Sequence, residues 1–161
     1  MQVIILGKYG KISKELRLTH NSFKVIKISI RENINLDLIK ELKSKNKLII
    51  INALGSYKKN KKYVNFDLPK IIIKILVKNQ TQFHWIQLST LLKENIIFNS
   101  YSNTKLKFEN ELINLSYIHK FTYNIVKFPM IIFKNSLNTP VDKIIKLAKK
   151  GFFMDLCLKN Y

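Results

Sequence analysis

The sequence predicts an α/β fold built on a doubly wound parallel sheet, and three observations carry that prediction. Short apolar runs alternate along the chain with segments whose apolar residues recur at helical spacing. Glycine and proline are scarce, at 4 and 3 residues, while 47% of the chain is hydrophobic, the balance of a chain with a packed core. A turn holding two of those glycines joins the first apolar run to the first helical segment, where open α/β sheets bind phosphates.

Each element has its own signal. Residues 2–6, QVIIL, read as a buried strand ended by Gly7. In KISKELRL (11–18), Ile12, Leu16 and Leu18 lie at near-helical spacing, so a helix opens after Gly10. FKVIKISI (23–30) alternates as a second strand. NLDLIKELKSK (35–45) puts Leu36, Leu38, Ile39 and Leu42 on one helical face, with Asn35 as its cap. KLIIINALG (47–55) is a third strand ending in a small-residue turn. A helix over 65–79 accommodates Pro69 in its first turn, where a missing N–H is harmless. FHWIQLS (83–89) is the fourth strand, and TKLKFENELINL (104–115) is an amphipathic helix. YNIVKFPMIIF (123–133) is the fifth strand, with Pro129 at its end or at a bend, and a helix over 141–152 stops at Gly151. This strand–helix alternation favours right-handed crossovers within a single domain spanning 1–161.

Composition narrows the function classes. No apolar run reaches the roughly 18–20 residues needed to span a bilayer, and the N-terminus lacks the basic start of a signal peptide. The lone Cys157 excludes an internal disulfide and fits a reducing cytoplasm; His20, His84 and His119 show no ligand spacing, so no metal site is expected. The net charge of +19 raises nucleic acid as a partner. Against that, Arg17 and Arg31 are the only arginines, and the lysines spread along the whole chain. A basic nucleic-acid-binding α/β domain is therefore the third reading; an anionic small substrate or a cofactor phosphate fits better.

The turn Gly7-Lys8-Tyr9-Gly10-Lys11-Ile12-Ser13 would set a dinucleotide pyrophosphate on backbone N–H groups. Gly7 would allow the tight turn and Gly10 the close approach, with the small Ser13 where the usual pattern has a third glycine. Gly7, Tyr9, Gly10, Lys11 and Ile12 are the expected cofactor-binding residues. Tyr-x-x-x-Lys occurs at Tyr57/Lys61, Tyr101/Lys105 and Tyr123/Lys127, a frequency that chance explains in a chain with 7 tyrosines and abundant lysine. Only Tyr101/Lys105 opens a helix after a strand ending in Ser-Thr.

Taken in order, Gly7-x-x-Gly10-x-Ile12, NALG, YVNFDLP, QLST, YSNTK and IVKFPMIIF resemble the extended short-chain dehydrogenase/reductase family of NAD(P)-dependent nucleotide-sugar epimerases, dehydratases and reductases. The resemblance covers nearly the whole chain and implies a Rossmann-like domain. It implies Tyr101 as general acid/base, with Lys105 lowering the phenol pKa and holding the cofactor ribose. A cation beside a phenol of pKa near ~10 favours phenolate, and i, i+4 spacing puts both side chains on one helix face. It implies Thr90, or else Ser89, as the hydroxyl that holds the substrate oxygen.

At the end of the second strand, Arg31 would suit the 2′-phosphate of NADP over NAD, although Glu32 beside it keeps NAD open. Asn52 and Ala53 would pass beneath the cofactor, and Phe128-Pro129 would follow the strand after the active-site helix, with Lys127 where the family has arginine. The family continues beyond position 161 into a region that binds the nucleotide sugar, so a C-terminally truncated member is expected. The implied activity is that of an oxidoreductase, epimerase or dehydratase acting on a nucleotide-activated sugar, in surface polysaccharide biosynthesis. The alternative is an inactive dinucleotide-binding or interaction module. Homo- or hetero-oligomerisation through GFFMDLCL would cover its apolar residues.

Overall fold

Five parallel strands form one sheet in the order β2-β1-β3-β4-β5. They are β1 (Gln2–Leu6), β2 (Lys24–Ile28), β3 (Leu48–Asn52), β4 (Phe83–Thr90) and β5 (Thr122–Phe128). The computed structural model describes residues 2–16, 24–29, 47–56, 60–91 and 99–128, all within one compact unit, Met1–Met130. The helices expected over 35–45 and 141–152, together with Tyr57, Arg31 and Pro129, lie outside the described residues.

The central strands are apolar runs because both sheet faces are covered. Every residue of β1 is buried, whereas the residues of the edge strands β2 and β5 are half-buried or exposed. On one face, Ile4, Leu6, Ile50, Phe83 and Trp85 pack against α2 (Leu68–Lys78) and α3 (Asn99–His119). On the other, Val3, Ile5, Ile51 and Leu88 pack against Ile12 and Leu16, in and just after α1 (Lys11–Glu15). Helices on both faces make the sheet doubly wound, a Rossmann-like α/β fold. Chain order reverses between β1 and β3, the switch point at which such sheets open a crevice at their carboxyl ends.

Three boundaries differ from the sequence reading, each for a local reason. The first helix ends at Glu15 because Leu16 is already extended; Lys27 of β2 reaches over to donate to the carbonyls of Ser13 and Leu16. The helix expected over 65–79 is preceded by a π-helical turn, Tyr63–Asp67, and its α-helical part begins at Leu68. Pro69 lacks an N–H and its ring would press on the carbonyl four residues back, so a widened turn immediately before it relieves the conflict. The next helix spans Asn99–His119, longer than 104–115, because its polar first turn carries no apolar period to read. The α2 end follows turn chemistry: Gln80 adopts φ 52°, and the Thr81 amide donates back to the Leu76 carbonyl.

Candidate functional site

The glycine turn is built by close approach. Gly7 ends β1 at φ +99°, and a Cβ there would lie 3.2 Å from the Ala53 carbonyl oxygen. The Gly10 amide closes the turn on the Gly7 carbonyl at 2.8 Å, and a Cβ on Gly10 would stand 3.1 Å from that same oxygen. The Gly7 and Lys8 amides both donate to the Ile28 carbonyl at 2.9 Å, tying the turn to the end of β2. Tyr9 and Lys11 stand on the exposed side of the turn, and Ile12 packs into the α1-face core. Ser13 is fully buried with its hydroxyl unpartnered, so only a small residue fits between helix and sheet. This is a cradle at the switch point from which side chains are excluded, the geometry a pyrophosphate needs. The residues present fit a dinucleotide.

Beside the cradle, a circuit of buried amides shapes the carboxyl ends of β3 and β4. Asn52 donates to Gln87 at 2.8 Å and accepts from the Leu54 amide at 3.2 Å. Gln87 also accepts from the Trp85 indole at 3.3 Å and donates to the Leu88 carbonyl at 2.8 Å. The carbonyls of Leu54 and Leu88 then both receive the Lys105 ammonium, at 2.6 Å and 3.2 Å. Asn52 thus sits in the wall that holds Lys105, and Ala53 lies directly behind Gly7.

Lys105 is 3% exposed, and burial pushes its ammonium down to about 8, against an opposing rise from the Glu109 carboxylate. Its Nζ lies 5.9 Å from the centroid of the Tyr101 ring, one turn earlier on α3. A Cβ on Gly55 would stand 3.4 Å from the Tyr101 hydroxyl, so the phenol lies over the loop after β3. Tyr101 and Lys105 therefore share one face of α3 at the carboxyl edge of the sheet. Of the other two Tyr-x-x-x-Lys matches, Tyr123 lies within β5, as its sequence context suggests.

Strand alternation separates the two hydroxyl candidates. Ser89 faces α3 and donates its hydroxyl to Glu109, whose other oxygen receives Lys127 of β5 at 2.8 Å. Thr90 ends β4, in register with Phe128 of β5. Asn65, on the π-helical turn, accepts from the Ser56 amide at 2.9 Å and donates to the Ser56 carbonyl at 3.0 Å. Its amide also reaches Thr104 of α3 at 3.2 Å, pinning the loop over which Tyr101 lies.

Glu109, Gln87 and Asn65 were not singled out by the sequence reading. Glu109 was discoverable, since it continues the i, i+4 face of Tyr101 and Lys105. Gln87 and Asn65 are lone amides in apolar segments and carry no spacing signal. Among the described residues, no group of three or more His, Cys, Asp or Glu could hold a metal, and no helix is long and apolar enough to cross a membrane.

No protein-family model matches the sequence, and no curated protein does. Solved structures do. The UDP-glucuronic acid 4-epimerase of Bacillus cereus, in complex with NAD, matches over 94% of this chain at 16% identity and a TM-score of 0.71. The capsular polysaccharide assembling protein CapF of Staphylococcus aureus matches over 94% at 17% identity and a TM-score of 0.62. The chain has their fold. It spans 63% and 49% of those two chains, respectively.

Proposed function

We propose that the chain is an NAD(P)-dependent domain of the extended short-chain dehydrogenase/reductase type, acting on a nucleotide-activated sugar as an oxidoreductase, epimerase or dehydratase. The observation that carries this reading is the buried Lys105 ammonium held by the Leu54 and Leu88 carbonyls beneath the Tyr101 ring, beside a glycine cradle at the switch point. The fold shared with an epimerase that binds NAD and with a capsular polysaccharide assembling protein supports the substrate class.

The turn of Gly7, Tyr9, Gly10, Lys11 and Ile12 would hold the pyrophosphate, and Asn52 and Ala53 would line the adjoining wall. Arg31 and Pro129 belong to the same proposal, with Arg31 favouring NADP. When bound, the nicotinamide supplies hydride transfer at a sugar carbon. Tyr101 moves the accompanying proton through its hydroxyl. With its ammonium at about 8, Lys105 stays about nine-tenths charged at pH 7 and so favours the Tyr101 phenolate. Its charge also suits a ribose hydroxyl. Thr90, at the carboxyl end of β4, takes the substrate oxygen, with Ser89, whose hydroxyl donates to Glu109, as the alternative.

The test is a titration with NADPH and NADH, followed by thermal unfolding and the fluorescence of buried Trp85. Ligand at a hundred times its Kd should stabilise the fold by about 2.7 kcal/mol, a rise in Tm of roughly 5–10 °C. No shift with either dinucleotide would sink the proposal. On a nucleotide-sugar panel, Tyr101→Phe should remove turnover while leaving dinucleotide binding in place. Binding without turnover in the wild type would favour the inactive-module reading.

A further inference from the structure

A string of charged and polar side chains, Glu109, Ser89 and Lys127, runs from α3 to the sheet edge and takes no part in the proposed proton transfer. Glu109 stands one helical turn beyond Lys105 on the same face of α3. Its carboxylate is 5% exposed, yet both oxygens are engaged: one accepts from Ser89 of β4, the other from Lys127 of β5 at 2.8 Å. A carboxylate in that position would be costly without compensation; Lys127 supplies a direct ion pair, and Lys105, one helical turn away on the same face, adds a second positive charge nearby. Lys127 is 41% exposed and reaches in from the edge strand, whereas Lys105 is buried with its ammonium on the Leu54 and Leu88 carbonyls.

We infer that Glu109 is the counter-ion of Lys105 and, through Ser89 and Lys127, the positioning residue that fixes the Tyr101–Lys105 face of α3 against β4 and β5. The consequence for catalysis rests on the dinucleotide reading, but the electrostatic arrangement does not. On the sheet side, among the described residues, the Lys105 ammonium bonds the carbonyls of Leu54 and Leu88. On α3 its ionisable neighbours are Tyr101 and Glu109. From α2, Lys70 is engaged by Glu111. From β4, His84 lies at the opposite end of the strand, bonded to Thr122 and Asn124. Glu109 is therefore the one anion placed to sustain the Lys105 charge among these groups, and Lys127 competes for it.

That competition gives the inference a signature that packing alone would not produce. The Lys105 side-chain NMR resonance, identified by its loss in Lys105→Met, is titrated in the cofactor-free full chain. In the wild type its midpoint is expected at about 8. Glu109→Gln keeps the shape and an oxygen for Ser89 but removes the charge, so the midpoint should fall. Lys127→Met frees Glu109 from its competitor, so the midpoint should rise. Opposite movements support the inference; an unmoved midpoint in Glu109→Gln, or movement of both variants in one direction, overturns it. If Glu109→Gln does not fold, the exposed-site variant Lys127→Met decides alone, and absence of a rise overturns the inference. No dinucleotide enters this measurement, so its failure is distinct from failure of the cofactor titration.

Discussion

Lys105 is held by two carbonyls with its ammonium depressed to about 8, and that makes the stability of the protein depend on pH in a definite direction. Between about 8 and the ordinary lysine value of 10.5, the unfolded chain binds a proton at this residue that the folded chain does not. Stability therefore rises with pH through that window, by up to about 3 kcal/mol, as the penalty of burying a charge disappears. Urea unfolding of wild type and Lys105→Met at pH 7.5 and pH 10 isolates the effect, because the other lysines and tyrosines titrate in both. The difference between the two proteins should move in favour of the wild type at the higher pH. A pH-independent difference would mean that Lys105 is not depressed. Sequence alone could name Lys105 but not its state, since burial and the two carbonyls come from segments 51 and 17 residues away. The same is true of Ser89: alternation separates it from Thr90, but only the placement of α3 says which face meets Glu109.

Among the elements, the strands and the start of α1 after Gly10 were legible, and the starts of the two longer helices were not. Buried parallel strands need unbroken apolar runs, so QVIIL and LIIIN declare themselves within a residue or two. Helix α3 begins at Asn99 in a polar turn with no periodicity, and the π-helical turn at Tyr63–Asp67 follows from Pro69 and from contacts distant in sequence. Asn65 illustrates the second cause. Its side chain pairs with both backbone groups of Ser56 as a neighbouring strand would, and so holds the loop beneath Tyr101 to α3. Asn65→Ala should release that loop. Two backbone groups lose their partners, at about 1–3 kcal/mol each where water cannot replace them, so a loss of up to about 6 kcal/mol is expected. Hydrogen exchange reads the local part: the Ser56 amide should lose protection well beyond that of strand amides such as Ile50. Equal loss at both would mean that Asn65 serves the whole fold and not this loop.

At the scale of the molecule, the described core residues divide unequally between the two sheet faces. Among the described residues the α1 face holds the smaller cluster, Val3, Ile5, Ile51, Ala53 and Leu88 under a helix of 5 residues, and it lies beside the glycine cradle. The opposite face carries the larger core, with Trp85, Phe108, Ile72 and Leu112 fully buried between the sheet and two longer helices. Phe108 joins these layers: its ring lies 6.2 Å from Trp85 of β4 and 6.4 Å from Phe66 of the π-helical turn, edge-on at 89°. Truncation there removes a large apolar group and leaves a cavity that strand and helix cannot both close, so Phe108→Ala should cost about 3–5 kcal/mol. Ile5→Val, on the α1 face, should cost only about 0.5–1.5 kcal/mol. Urea denaturation followed by Trp85 fluorescence measures both, with unchanged slopes if unfolding stays two-state. A Phe108→Ala loss below about 1 kcal/mol would mean that α3 is not anchored through this ring. The Tyr101–Lys105 face would then depend more on polar contacts such as the string of Ser89, Glu109 and Lys127, so the two sets of variants together weigh apolar against polar anchoring of the helix.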